Sequence, residues 1–80
     1  MTKANNTLLK REISIFRTSV NSKCDIKNLK PLLNHLIGIG NWSFDLEDSE
    51  KILRINNFPN MNNFIAKEIK KMGFDCIEIF

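Results

Sequence analysis

The stretch WSFDLEDSEKILRI at residues 42–55 decides the fold. Trp42, Phe44 and Leu46 alternate with Ser43, Asp45 and Glu47, the period of two that a strand shows when one face is buried and the other wet. Asp48, Ser49 and Glu50 supply turn residues, and residues 51–55 (KILRI) return as a β-branched and aliphatic run. Two such runs joined by a short polar segment predict an antiparallel hairpin.

Upstream of the hairpin, Gly38-Ile39-Gly40 closes a helix, because glycine takes the left-handed conformation that ends one. Ile26, Leu29, Leu33, Leu36 and Ile37 fall at helical spacing ahead of it. Pro31 has no N–H and crowds the preceding turn, so it is cheap only in a first turn. It predicts a helix starting no earlier than about residue 27, capped by Asp25 or Asn28. The polar run 21–25 (NSKCD), carrying Cys24, is then a loop. Residues 12–20 (EISIFRTSV) read as the first strand and residues 1–11 as a flexible leader. Downstream, residues 56–60 form a loop in which Asn60 caps a second helix with the apolar stripe Met61, Ile65, Ile69 and Met72. Gly73 stops that helix, and residues 76–80 (CIEIF) make a last short strand.

The order β-α-β-β-α-β over residues 12–80 predicts an α+β, ferredoxin-like sandwich: a four-stranded antiparallel sheet with two helices on one face. Strands one and three are central, and strand four runs antiparallel beside strand one. That places the start of strand four, with Cys76, near the end of strand one.

Eighty residues suffice for one domain and leave no room for a deep catalytic cleft. Hydrophobic residues at 42% and charged residues at 26% match a globular chain that folds. The net charge is +3, with lysines spread from Lys10 to Lys71, which reads as a solvated basic surface and not as a nucleic-acid-binding block. Two distant cysteines make no disulfide framework. No apolar segment reads as a signal peptide or a membrane span, so the expected compartment is the cytoplasm.

Several segments together resemble the heavy-metal-associated, copper-chaperone-like domains. They are the strand ending in Thr18-Ser19-Val20, the loop Asn21-Ser22-Lys23-Cys24, the helix end at residues 36–39, the strand from Trp42, and Lys71-Met72-Gly73-Phe74. That family carries two cysteines, separated by two residues, in its first loop. Here Cys24 matches the second, Asn21 stands for the first after a one-residue shift of register, and Gly73-Phe74 resembles the family's glycine-aromatic pair. The resemblance implies the ferredoxin-like fold and a soft-metal site for an ion such as Cu(I). Two thiolates make such a site, and the hard amide oxygen of Asn21 cannot replace one.

Cys24, beside Lys23 and ahead of a helix, reads as a reactive thiol or a single soft-metal ligand, the alternative being a small filler under the helix. Cys76 offers a second thiol, for a shared metal ion or a reversible disulfide, unless it faces the core. Two Cys24 residues from separate molecules sharing one ion across a dimer is a further arrangement. His35 reads as a surface residue, and Asp45, Glu47, Asp48 and Glu50 as a solvated hairpin lacking the ligand spacing of a calcium loop. No catalytic constellation is recognisable. Trp42 and Phe44 raise RNA stacking, but strand three carries no aromatic residue, so both are expected in the core. The expected function is a small noncatalytic module that binds a soft metal through Cys24 with a second thiol. Its alternative is a protein-interaction domain, homodimer included, and RNA binding on the open sheet face ranks third.

Overall fold

The structure, a computed structural model, describes residues 10–47 and 49–79. Its elements are β1 (Glu12–Thr18), α1 (Lys23–Leu36), β2 (Trp42–Asp45), β3 (Ile52–Asn57), a 3-10 turn (Pro59–Met61), α2 (Asn62–Lys71) and β4 (Cys76–Glu78). The strands form one antiparallel sheet in the order β2-β3-β1-β4, the α+β ferredoxin-like arrangement. Strands β1 and β3 are central, and Thr18 pairs with Cys76, which brings the start of β4 to the end of β1.

Alternation assigns the two faces of the sheet. Ser14, Phe16 and Thr18 of β1 are buried towards the helices, as are Leu53, Ile55 and Asn57 of β3. Leu29, Leu33 and Ile37 descend from α1, Ile65 and Ile69 from α2, and Cys76 from β4, to complete one core with Phe16 and Leu53. Each fully buried aliphatic or phenyl side chain contributes about 1.5–3 kcal/mol. Trp42 and Phe44 pack edge-on against each other, 6.0 Å between ring centroids, and against the core side of β3.

The first helix begins four residues earlier than Pro31 predicts. Ser22 caps it, its hydroxyl accepting the Asp25 N–H at 3.0 Å, while the Asp25 carboxylate accepts the Asn21 N–H at 3.3 Å. Pro31 therefore sits inside α1, on its exposed side. A mid-helix proline costs about 3 kcal/mol. Burying Leu29 fully and Ile26 in part, with about 1 kcal/mol from the cap, offsets that cost. Cys24 consequently lies in the first turn of α1 and not in a loop ahead of it.

The other differences are at element ends. β1 stops at Thr18, whose N–H and hydroxyl both bond the Lys51 carbonyl, so Val20 turns down into the core instead of continuing the strand. β2 stops at Asp45, whose carboxylate accepts the Glu47 N–H and bends the chain there. Asn60 does not cap α2: the 3-10 turn occupies its place, and Met61 precedes the helix without a side-chain cap. Asn62 instead ties the first turn of α2 to the sheet, its amide donating to Ser14 Oγ at 2.8 Å and Glu78 Oε2 at 3.0 Å. Ile65 and Ile69 are buried as the stripe predicts, whereas Met72 at the helix end is half exposed. Gly38 and Gly73 hold positive φ angles, +111° and +98°, and close their helices as glycine allows. Most of the leader, together with Asp48 and Phe80, lies outside the described residues.

Candidate functional site

The face of the sheet away from the helices has no layer over it among the described residues. Register places Ile13, Ile15 and Arg17 of β1 there, opposite Asn56, Arg54 and Ile52 of β3. Ser43 and Asp45 of β2 lie beside Arg54 and Ile52, and Ile77 of β4 lies beside Arg17. Ile79 follows at the same parity, its N–H bonded to the Ile15 carbonyl at 2.9 Å. The β1–β4 half of this face thus carries four isoleucines and Arg17, and the β2–β3 half is polar apart from the buried Ile52.

Two of these isoleucines are well exposed, Ile13 at 64% and Ile77 at 50%, with Ile15 and Ile79 half-buried between them. Scattered apolar residues on a surface are ordinary, but four on one flat face form a patch. Its charges balance. Arg17 forms an ion pair with Glu50 at 2.9 Å, and Arg54 lies diagonally across from Asp45, two residue pairs along the β2–β3 ladder. Beside the patch, Ile13, Trp42, Ser43, Arg54 and Asn56 line a shallow groove of about 300 Å³.

The two thiols have opposite surroundings. Cys24 is exposed in the first turn of α1, beside exposed Lys23. Cys76 is 1% exposed within the core, and burial pushes its thiol up from 9.0 to about 11, with Lys70 pulling weakly the other way. Desolvation disfavours the thiolate, the form that ligates a soft metal. Both cysteines are free, and no disulfide joins them. Asn21 and Ser22 lead into α1 as cap groups, Phe74 packs against the core after Gly73, and His35 is exposed near the end of α1. Among the described residues, no group of three or more His, Cys, Asp or Glu side chains could hold a metal ion.

Trp42 and Phe44 of the edge strand β2 lie on the helix side of the sheet, where Trp42 Nε1 donates to Asn34 Oδ1; Phe16 of β1 is buried on that side too and β3 carries no aromatic residue, so the described strands present no aromatic ring to the open face. No described helix is long and apolar enough to cross a membrane. The open-face patch had a signal in the sequence: in residues 12–20, Ile13 and Ile15 are apolar at the parity opposite to Phe16, so the strand is apolar on both sides. Only the sheet order shows that one of those sides has no cover. Comparison with protein-family models, with curated proteins and with solved structures finds no match to this chain.

Proposed function

We propose that the protein is a noncatalytic interaction module that associates with a second copy of itself through the open face of its sheet. The observation that carries this reading is the isoleucine patch of Ile13, Ile15, Ile77 and Ile79. A second copy suits that face for an electrostatic reason. Its strand and hairpin charges, Arg17 and Arg54 with Asp45 and Glu50, cancel, which leaves only Arg11 at the rim beside Asn56, so two such faces repel little. A twofold axis through the β1–β4 half would lay isoleucine on isoleucine, with the polar half at the rim, the usual anatomy of a symmetric interface.

Sedimentation equilibrium over a concentration series tests the reading, with Ile13→Lys and Ile77→Lys as variants. Both positions are exposed, so the variants should retain the circular dichroism of the parent. A dimer that each variant weakens at least tenfold is expected. A chain that stays monomeric at millimolar concentration, or a dimer indifferent to both substitutions, overturns it.

Soft-metal binding is a second reading, favoured by the exposure of Cys24. With Cys76 buried and protonated, the second thiolate for an ion such as Cu(I) would come from Cys24 of another molecule. Titrating the reduced protein with Ag(I) tests this: one ion bound per two chains, abolished by Cys24→Ser, is the expected stoichiometry. Binding that survives that substitution sinks it.

A further inference from the structure

Residues 19–22 join β1 to α1, and the dipeptide Asn21-Ser22 in that joint keeps two groups free that can react with each other. Asn21 is exposed, and its bond to the Asp25 carboxylate uses its main-chain N–H. Its side-chain amide forms no hydrogen bond among the described residues. The Ser22 main-chain N–H forms none either: the cap of α1 uses the Ser22 hydroxyl, and the first helical bond uses the Ser22 carbonyl.

The other described asparagines lack this combination. Asn34 and Asn41 have engaged amides, on Trp42 and on the Ile37 carbonyl, and each precedes a large ring. Asn28 and Asn63 are held in helices ahead of Leu29 and Phe64. Asn56 and Asn57 are paired in β3, and Asn62 is buried. Asn60 precedes Met61, whose N–H is bonded to the Phe58 carbonyl at 2.9 Å. Among the described residues, Asn21 alone is followed by a residue with a small, unbranched side chain, which leaves the next nitrogen open to approach.

We infer that Asn21 is a deamidation site, at which the chain modifies itself with water as the only co-reactant. The Ser22 nitrogen attacks Asn21 Cγ and forms a C–N bond there. The bond from Cγ to the side-chain nitrogen breaks, and ammonia leaves, taking up through water the proton that the Ser22 nitrogen gives up. The product is a cyclic imide. Water then opens it at one of two carbonyls. Cleavage of the bond to Cγ gives an aspartyl residue, and cleavage of the bond to the main-chain carbonyl carbon gives an isoaspartyl one. Either product removes one unit from the net charge of +3.

The two products differ in what they do to α1. An aspartyl carboxylate one residue ahead of the cap suits the positive end of the helix and leaves the main chain as it was. The isoaspartyl link routes the main chain through the former side chain and lengthens the path from Asn21 Cα to Ser22 by one carbon. Ser22 Oγ accepts the Asp25 N–H at 3.0 Å while the Asp25 carboxylate accepts the Asn21 N–H at 3.3 Å, and the longer path cannot keep both bonds. The isoaspartyl form therefore loosens the capped first turn of α1, which carries Cys24. The joint lies away from the isoleucine patch, and the inference does not depend on that patch pairing with a second copy.

The test is peptide mapping by mass spectrometry of the whole reduced chain, aged in warm alkaline buffer beside a synthetic peptide of residues 18–25. Within residues 10–79, the mass gain of deamidation should appear first at Asn21, and the product should accept a methyl group from isoaspartyl methyltransferase. Ser22→Thr keeps a capping hydroxyl but branches at Cβ, and should slow the reaction several-fold. A gain that arises first at another asparagine of those residues, or an unchanged Asn21 once the peptide has converted, overturns the inference. The separated isoaspartyl form should melt below the parent, and Asn21→Asp should melt with it. An isoaspartyl form that melts with the parent overturns the link to the cap of α1.

Discussion

Trp42 Nε1 donates a 2.8 Å hydrogen bond to Asn34 Oδ1, tying the edge strand β2 to the last turn of α1. The indole is half-buried against the core, and its N–H finds its partner on the same helix that the ring covers. Trp42→Ala should cost about 3 kcal/mol in urea unfolding, from lost burial and the bond together. Asn34→Ala removes only the bond and should cost about 1 kcal/mol. Equal losses from the two variants would mean that the ring contributes nothing to packing.

Cys76 makes stability depend on alkaline pH. Its folded value, about 11, lies above the ordinary 9.0, so the native state holds the thiol proton more tightly than the unfolded chain. The contribution is present in full below pH 9 and is lost as pH rises towards 11. The shift corresponds to about 2–3 kcal/mol. Cys76→Ala should be less stable than the parent at pH 8, with the gap narrowing by pH 11. In the same samples a thiol reagent at neutral pH should label Cys24 at once and Cys76 only as the protein unfolds. A constant gap between the two proteins across that range would show that the thiol stays protonated or does not matter.

Ser22 and Asn60 make a contrasting pair, because only Ser22 caps a helix. Ser22→Ala should cost about 1 kcal/mol, and Asn60→Ala should fall within about 0.5 kcal/mol of the parent. Thermal melts of both variants check this. A larger loss at Asn60 would mean that α2 is capped by a side chain after all.

Cys24→Ser should leave stability within about 0.5 kcal/mol, since the thiol is exposed and outside the core. A variant that fails to fold would assign the residue to packing instead of to any surface role.

Residues 42–55 made the hairpin legible because strand alternation is local: each side chain's face follows from its immediate neighbours. The start of α1 was not legible in the same way. Pro31 argued for a late start, and what overrode it was the burial of Leu29 and Ile26 against a sheet that the local sequence does not contain. The end of β1 was likewise settled at a distance, by the Lys51 carbonyl that takes both the N–H and the hydroxyl of Thr18.

The sequence by itself determined the order of elements and which residues share a face, because periodicity and glycine stops act over a few residues. Tertiary structure decided what those faces meet. It covered the side of β1 that holds Phe16 and left Ile13 and Ile77 bare on the other. It separated the two thiols, one into water and one into the core. Neither outcome follows from neighbours in sequence, because what covers a face returns from far along the chain.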